Sequence, residues 1–334
     1  MIVLTAVLLL IAFFIKIGER DERLTKAKAD MLKALFPFVI IMGHVSFAYP
    51  DSLIRDMRFA GPYVVGVFFF LSGYGLECKG VTRGGGQRQL ARRVKRLLRP
   101  LILPVAAYLL VGCWLCDDLK DVVADNLRAM ALVLPYTWFV VVIAILYAVY
   151  HLFRNKFEND KYFDVFLVLA TMALSAVFFI LKMDGTFYVS NLAFAMGVIY
   201  KQKEPKILCQ TSRWVWLLSV VIVTATSIAY AKGRSPFHGF AMLAVPLYVA
   251  SFMMLYSRVG VCDNAIIRFL KGISYEIYLW QSVPMLIVAY LKIDDVWLHA
   301  GVVIMLSVLL AFVAQKTMNK IENKLKTDIR NEIL

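Results

Sequence analysis

Residues 33–50 read KALFPFVIIMGHVSFAYP, a lysine followed by a long apolar run that carries a single histidine, His44. A helix that crosses the hydrocarbon core of a bilayer takes about 20 predominantly apolar residues, and the window 31–49 around this stretch has that length. Further windows meet or approach it at 1–17, 62–78, 100–116, 131–151, 163–181, 187–200, 213–231, 237–256, 273–291 and 296–315. They are long and unbroken rather than short and alternating, so they read as helices and not as strands of a transmembrane barrel. Composition points the same way: 61% of the 334 residues are hydrophobic and 18% charged, against about 45–50% and about 25% in soluble domains. The expected fold is an all-α polytopic membrane protein of about eleven transmembrane helices.

The net charge of +14 does not mark a nucleic-acid binder, because the charges sit in short connections between apolar windows rather than in a basic domain. Taken alternately, one set of connections holds 29 of the 37 Lys and Arg residues and the other set 8. Cytoplasmic loops are the ones that carry excess Lys and Arg. The count therefore places the N-terminus outside and the C-terminus in the cytoplasm, in a multi-pass protein whose immediate partner is lipid; the expected location is the cell inner (cytoplasmic) membrane. The N-terminal window lacks a basic n-region and a small-residue cleavage site, and it reads as a retained span rather than a signal peptide. In the tail 317–334, Ile321, Leu325, Ile329 and Ile333 recur every four residues beside Lys320, Lys324, Lys326 and Arg330. That pattern suits either a short helix lying on an anionic leaflet or a solvated helix.

Cys78, Cys113, Cys116, Cys209 and Cys262 have no metal-ligand spacing, and the Cys113-x-x-Cys116 pair lies within an apolar helix, so no metal site is expected. Gly84, Gly85 and Gly86 have neither the Lys-Ser/Thr nor the strand of a phosphate-binding loop and read as a hinge.

Ionisable groups deep in a span are costly and need a reason. His44 lies roughly 20 Å along its helix from residue 31, at 1.5 Å per residue, and a neutral imidazole there is either a general base or a hydrogen-bonded packing residue. Lys33 precedes it by about three full turns, so both share one face, separated by roughly 16 Å. Lys33 is either a snorkelling interface lysine or a cation guarding the mouth of a path towards His44. Arg88, Arg92, Arg93, Lys95, Arg96 and Arg99 crowd the start of the window at Pro100. Such forks bind phosphate oxygens, and they also set topology and hold anionic lipid. Ser72, Gly73 and Tyr74 lie in an aromatic-rich helix where small residues permit close packing and Tyr74 can hydrogen-bond within a cavity. Trp138 and Glu276 are further cavity candidates, with Glu276 placed to pair with a basic loop residue. His151, His238 and His299 fall at span ends and are expected to be solvated.

Read in order, Lys33-x10-His44, FFFLSGYG at 68–75, RRVKRLLRP at 92–100, YTWF at 136–139 and ISYEIYLWQ at 273–281 give a chain that resembles the integral-membrane acyltransferase 3 family, from about Lys26 to Gln315. The resemblance implies O-acylation of cell-surface carbohydrate by a ten-helix core, so that residues 1–25 become an added helix and loop, 26–316 the acyltransferase domain and 317–334 the tail. It implies that His44 is the essential histidine and Lys33 its basic partner. Arg93 and Arg96 match the R-x-x-R of the cytoplasmic loop, with Arg96 and Arg99 as a second register, and Tyr74 closes the S-G-[FY] element. Many members carry a histidine where this chain has Gln281, so no catalytic role moves there. There is no room for the extracytoplasmic esterase-like domain of larger members.

These readings together lead to an O-acyltransferase, most simply an O-acetyltransferase, that takes its acyl group from cytoplasmic acetyl-CoA or another acyl-CoA as donor substrate. The acceptor is a hydroxyl of a cell-surface or lipid-linked carbohydrate. The alternative is a transporter or flippase for a polyprenyl-linked glycan that moves its substrate without acyl transfer; a non-catalytic scaffold is a third.

Overall fold

The computed structural model describes residues 23–80, 86–116, 118–128, 132–210, 238–257 and 264–333, with a few single positions between them. The windows at 1–17 and 213–231 and the glycines at 84 and 85 lie outside the described residues. Among those described, twelve α-helices and no strands form. They are α1 (Lys26–Ala48), α2 (Gly61–Lys79), α3 (Gly86–Leu98), α4 (Ile102–Leu115), α5 (Leu119–Arg128) and α6 (Trp138–Phe153), then α7 (Asp160–Ile180), α8 (Leu192–Gln210), α9 (His238–Tyr256), α10 (Ala265–Trp280), α11 (Ser282–Tyr290) and α12 (Val296–Ile333).

Among the described residues, six helical stretches are long and apolar enough to cross a membrane: Lys26–Ala48, Arg55–Lys79, Gly86–Leu115, Trp138–Lys156, Asp160–Ile180 and Val296–Lys320. The chain is accordingly a multi-pass membrane protein. Local chemistry sets several boundaries. Thr25 caps α1 by accepting from the Lys28 N–H, Asn159 caps α7 from Lys161, and Asn264 caps α10 from Ile267. The window 273–291 is broken at Gln281 into α10 and α11. Pro284, three residues on, has no N–H to offer the Trp280 carbonyl, so the regular hydrogen-bond ladder lapses there.

The tail 317–334, read as a short helix on a leaflet or in solvent, is helical to Ile333. It continues α12 as one 38-residue helix, because neither Gly nor Pro follows Gly301 to interrupt it.

Helices α1 and α2 bury most of their surface, whereas α4 and α12 present much of theirs outward, including Leu110, Trp114 and Met305. An apolar outer surface is what lipid contact requires. The two inner helices are packed by different means. α2 meets α8 backbone to backbone: a Cβ on Gly73 would lie 2.2 Å from the Phe194 carbonyl oxygen, and one on Gly197 would lie 2.0 Å from that of Phe70. α1 packs chiefly against α10.

At the end where the basic residues gather, ion pairs bind the helices together. Glu77 on α2 accepts from Tyr150 (2.7 Å) and Gln202 (3.2 Å) and pairs with Arg154 (3.1 Å), which also pairs with Asp160 (2.7 Å).

Replacing Gly73 or Gly197 by Val forces α2 and α8 apart, since a backbone oxygen cannot rotate away. Overpacking of this kind costs about 1–3 kcal/mol. Each variant should unfold at lower temperature in detergent than wild type, as followed by size-exclusion chromatography after heating.

Candidate functional site

The face of α1 that carries Lys33 turns inward. Lys33, Pro37 and Ile40, spaced as one helical face, line a cavity of about 160 Å³. The same helical spacing brings Val65, Phe68 and Ser72 from α2, Phe139, Ile143 and Tyr147 from α6, and Ser274, Tyr275 and Tyr278 from α10. Leu97 of α3 completes the wall, its carbonyl accepting from the Tyr275 hydroxyl at 2.9 Å. The lining is mostly apolar, with Lys33 as its cation. Asp30 is paired with Lys271 at 3.0 Å, and Lys33 makes no ion pair or hydrogen bond among the described residues.

His44 lies one turn beyond Ile40. Its Nδ1 is 2.9 Å from Oε1 of Gln281, which is one turn beyond Tyr278. Its ring stacks on Tyr136, centroids 3.8 Å apart at 17°, and Tyr136 stands three residues before Phe139, in the turn that leads into α6. Three residues that line the cavity thus lead to three residues that meet around the imidazole. Gln281 is fully buried, and its Nε2 donates to the Tyr278 carbonyl at 2.8 Å. Tyr136 has φ 68°, a left-handed conformation that a large side chain seldom adopts. It is held there in part by the Tyr278 hydroxyl, which donates to the Tyr136 carbonyl.

A second, basic pocket of about 210 Å³ lies beside the first, lined by Lys79, Gly80, Gln89, Arg92, Arg93 and Arg96. The two adjoin where the Arg93 guanidinium sits over the Tyr147 ring, 5.7 Å from its centroid. α3 can serve both because Leu97 and Arg93, one turn apart, share its inner side, Arg93 reaching from the basic pocket over the cavity's Tyr147, while Arg92 and Arg96 are exposed. Of the two R-x-x-R registers, Arg93 and Arg96 reach this pocket together, and Arg99 is not among its lining residues.

The other candidates divide. Ser72 lines the apolar cavity. Tyr74 does not: its hydroxyl donates to Glu204 (2.9 Å), a carboxylate 3% exposed that also accepts from the Leu24 N–H (3.2 Å) and pairs with Lys201 (2.7 Å). Trp138 packs on Phe187, centroids 5.4 Å apart. Glu276 makes no ion pair among the described residues, although its neighbour Tyr275 lines the cavity.

Two of the histidines expected in solvent are buried, His151 at 3% exposure and His299 at 8%. Position near a helix end does not say which face a residue occupies. His151 falls on the inner face of α6, ring-to-edge with Tyr150 at 5.5 Å, and His299 on that of α12, 2.9 Å from the Tyr49 hydroxyl. The side chain of His238 lies outside the described residues.

Of this cluster, the sequence singled out Gln281 only as a position with no catalytic role and Tyr136 only as the first residue of the YTWF run. Gln281 left one signal, a lone amide in an otherwise apolar stretch before Pro284. Tyr136 left only its place in the YTWF run.

The matched family model is described as an acyltransferase domain and covers residues 26–316. No curated protein and no solved structure matches the chain.

Tyr74→Phe should act on stability rather than chemistry, because it takes a donor from a buried carboxylate. A cost of roughly 1–3 kcal/mol follows, read as a lower melting temperature with the turnover per folded molecule kept.

Proposed function

The chain belongs to the acyltransferase 3 family, and from that premise we propose that it is a membrane O-acetyltransferase that moves the acetyl group of cytoplasmic acetyl-CoA to a hydroxyl of a cell-surface or lipid-linked carbohydrate. The observation that carries this reading is the alignment of three features along one path: a basic pocket, an apolar cavity with Lys33 in its wall, and His44 one turn past the cavity's last α1 residue. A nucleotide-bearing thioester has that sequence of properties, from phosphates to a slender arm to a reactive carbonyl.

In this reading Arg92, Arg93, Arg96 and Lys79 hold phosphate oxygens, as guanidinium forks do well. Lys33 holds a further anionic or carbonyl oxygen as the arm enters. The arm lies against Phe68, Phe139 and Tyr278, where water is largely excluded. The acceptor hydroxyl then meets the thioester beside His44. The imidazole takes the hydroxyl proton as the oxygen bonds to the thioester carbonyl carbon, and it returns a proton to the sulfur as the carbon–sulfur bond breaks, so that coenzyme A leaves as the free thiol. Holding both substrates against one imidazole converts a three-body encounter into a local step. The inner membrane is the proposed location, because the donor is cytoplasmic and the acceptor is assembled at or carried through that membrane.

His44→Ala should abolish acetyl transfer, a fall of about 100-fold or more if a general base is lost, while expression and membrane insertion are kept. Acetyl-CoA turnover by the purified protein, with mass spectrometry of surface glycans, measures it; undiminished acetylation in that variant would overturn the base assignment. Arg93→Ala combined with Arg96→Ala should instead raise KM for acetyl-CoA by roughly 10- to 100-fold, with kcat little changed, as expected when charge-assisted hydrogen bonds worth about 1.5–3 kcal/mol are lost. Equal losses for acetyl-CoA and for a phosphate-free thioester such as acetyl-pantetheine would exclude phosphate binding by this pair.

A further inference from the structure

We propose that Gln281 is a positioning residue that holds the His44 imidazole with its proton on Nδ1, leaving Nε2 as the nitrogen that works on substrate; this rests on His44 being the base.

The argument begins from the glutamine, not the histidine. An amide offers an oxygen that only accepts and a nitrogen that only donates. One end of Gln281 faces the Tyr278 carbonyl at 2.8 Å. A carbonyl oxygen can only accept, so that end is the NH2 group. The other end is then the oxygen, and it lies 2.9 Å from His44 Nδ1. Two acceptors do not form a hydrogen bond, so Nδ1 carries a proton. In the neutral ring the lone pair is therefore on Nε2. Among the described residues Nε2 has no hydrogen-bond partner and is not among the fully enclosed polar atoms left without one. It is open to an incoming group.

The amide is itself prevented from flipping. Gln281 is fully buried, and it occupies the break between α10 and α11 that Pro284 creates. Rotation by 180° would set its oxygen against the Tyr278 carbonyl, a repulsion that a fully buried amide cannot relieve by turning outward. Tyr136 restricts the ring by stacking on its face, which blocks tilting but leaves both tautomers possible. The hydrogen bond from Nδ1 is thus the contact that decides between them. A neutral amide does for this imidazole what a carboxylate does elsewhere, orienting it without placing a second charge in an apolar bundle.

The test reads the tautomer directly. With 15N-labelled histidine, two-bond 15N–1H correlations of the purified protein in detergent distinguish the two neutral forms, and His44 among the four histidines is assigned by the signal missing from His44→Ala. We expect wild type and Gln281→Glu, which keeps the acceptor, to show Nδ1–H. Gln281→Met, which keeps the volume and loses the acceptor, should show a mixture with Nε2–H, and its kcat for acetyl-CoA turnover should fall roughly 10- to 100-fold with KM little changed. A wild-type ring protonated on Nε2, or a Gln281→Met protein that keeps both tautomer and kcat, would overturn the positioning role while leaving His44 as base. A fully active His44→Ala would instead overturn the base assignment beneath it, whatever the tautomer.

Discussion

A polar group carried into an apolar bundle must find its partner inside the bundle, and much of this structure follows from that requirement. Lys28, 3% exposed, donates to the Arg23 and Ser257 carbonyls. Glu204 gathers Tyr74, Lys201 and the Leu24 N–H; Glu77 gathers Tyr150, Gln202 and Arg154. Each cluster draws on at least two helices, so satisfying the charge also fixes the packing. His44 obeys the same rule at one nitrogen only. Its Nδ1 is answered by Gln281, and its Nε2 is left over, which is the condition a proton acceptor for an outside molecule has to meet.

The close crossing of α2 and α8 and the looser packing around α1 are complementary. With glycine at 73 and 197, two helices come to backbone contact and need few side chains between them. α1, α6 and α10, with α2 and Leu97 of α3, surround the apolar cavity. α3 covers that cavity at the basic end with Leu97, exposes Arg92 and Arg96, and sets Arg93 at the Tyr147 ring, so one short helix borders both a charged environment and an apolar one.

The helical character, the apolar windows and the shared face of Lys33 and His44 were legible because they depend on spacing along one helix. Eleven residues make close to three turns whatever the helix packs against. The same arithmetic could have separated Ser72 from Tyr74: two residues turn a helix by about 200°, so when Ser72 faces the cavity, Tyr74 faces the other way, towards Glu204. Burial of His151 and His299 was not legible, since helix phase relative to distant neighbours is set by packing. Neither was the meeting of His44 with Gln281, because no local pattern says which face of α10 will be turned to α1. Tyr136 was hidden for another reason, a left-handed backbone at an aromatic residue that only surrounding contacts can hold.

The partner of His44 lies 237 residues further along the chain, and this separation sets an order of events during synthesis. At about 5–20 residues per second, Gln281 emerges from the ribosome some 10 to 50 seconds after His44 has entered the membrane. Through that interval the first described helix carries an imidazole whose final partner does not yet exist, among neighbours that do not yet enclose it. The His44–Gln281 contact is therefore among the last in the bundle to be completed, and a chain cut short before α10 inserts its histidine without that partner.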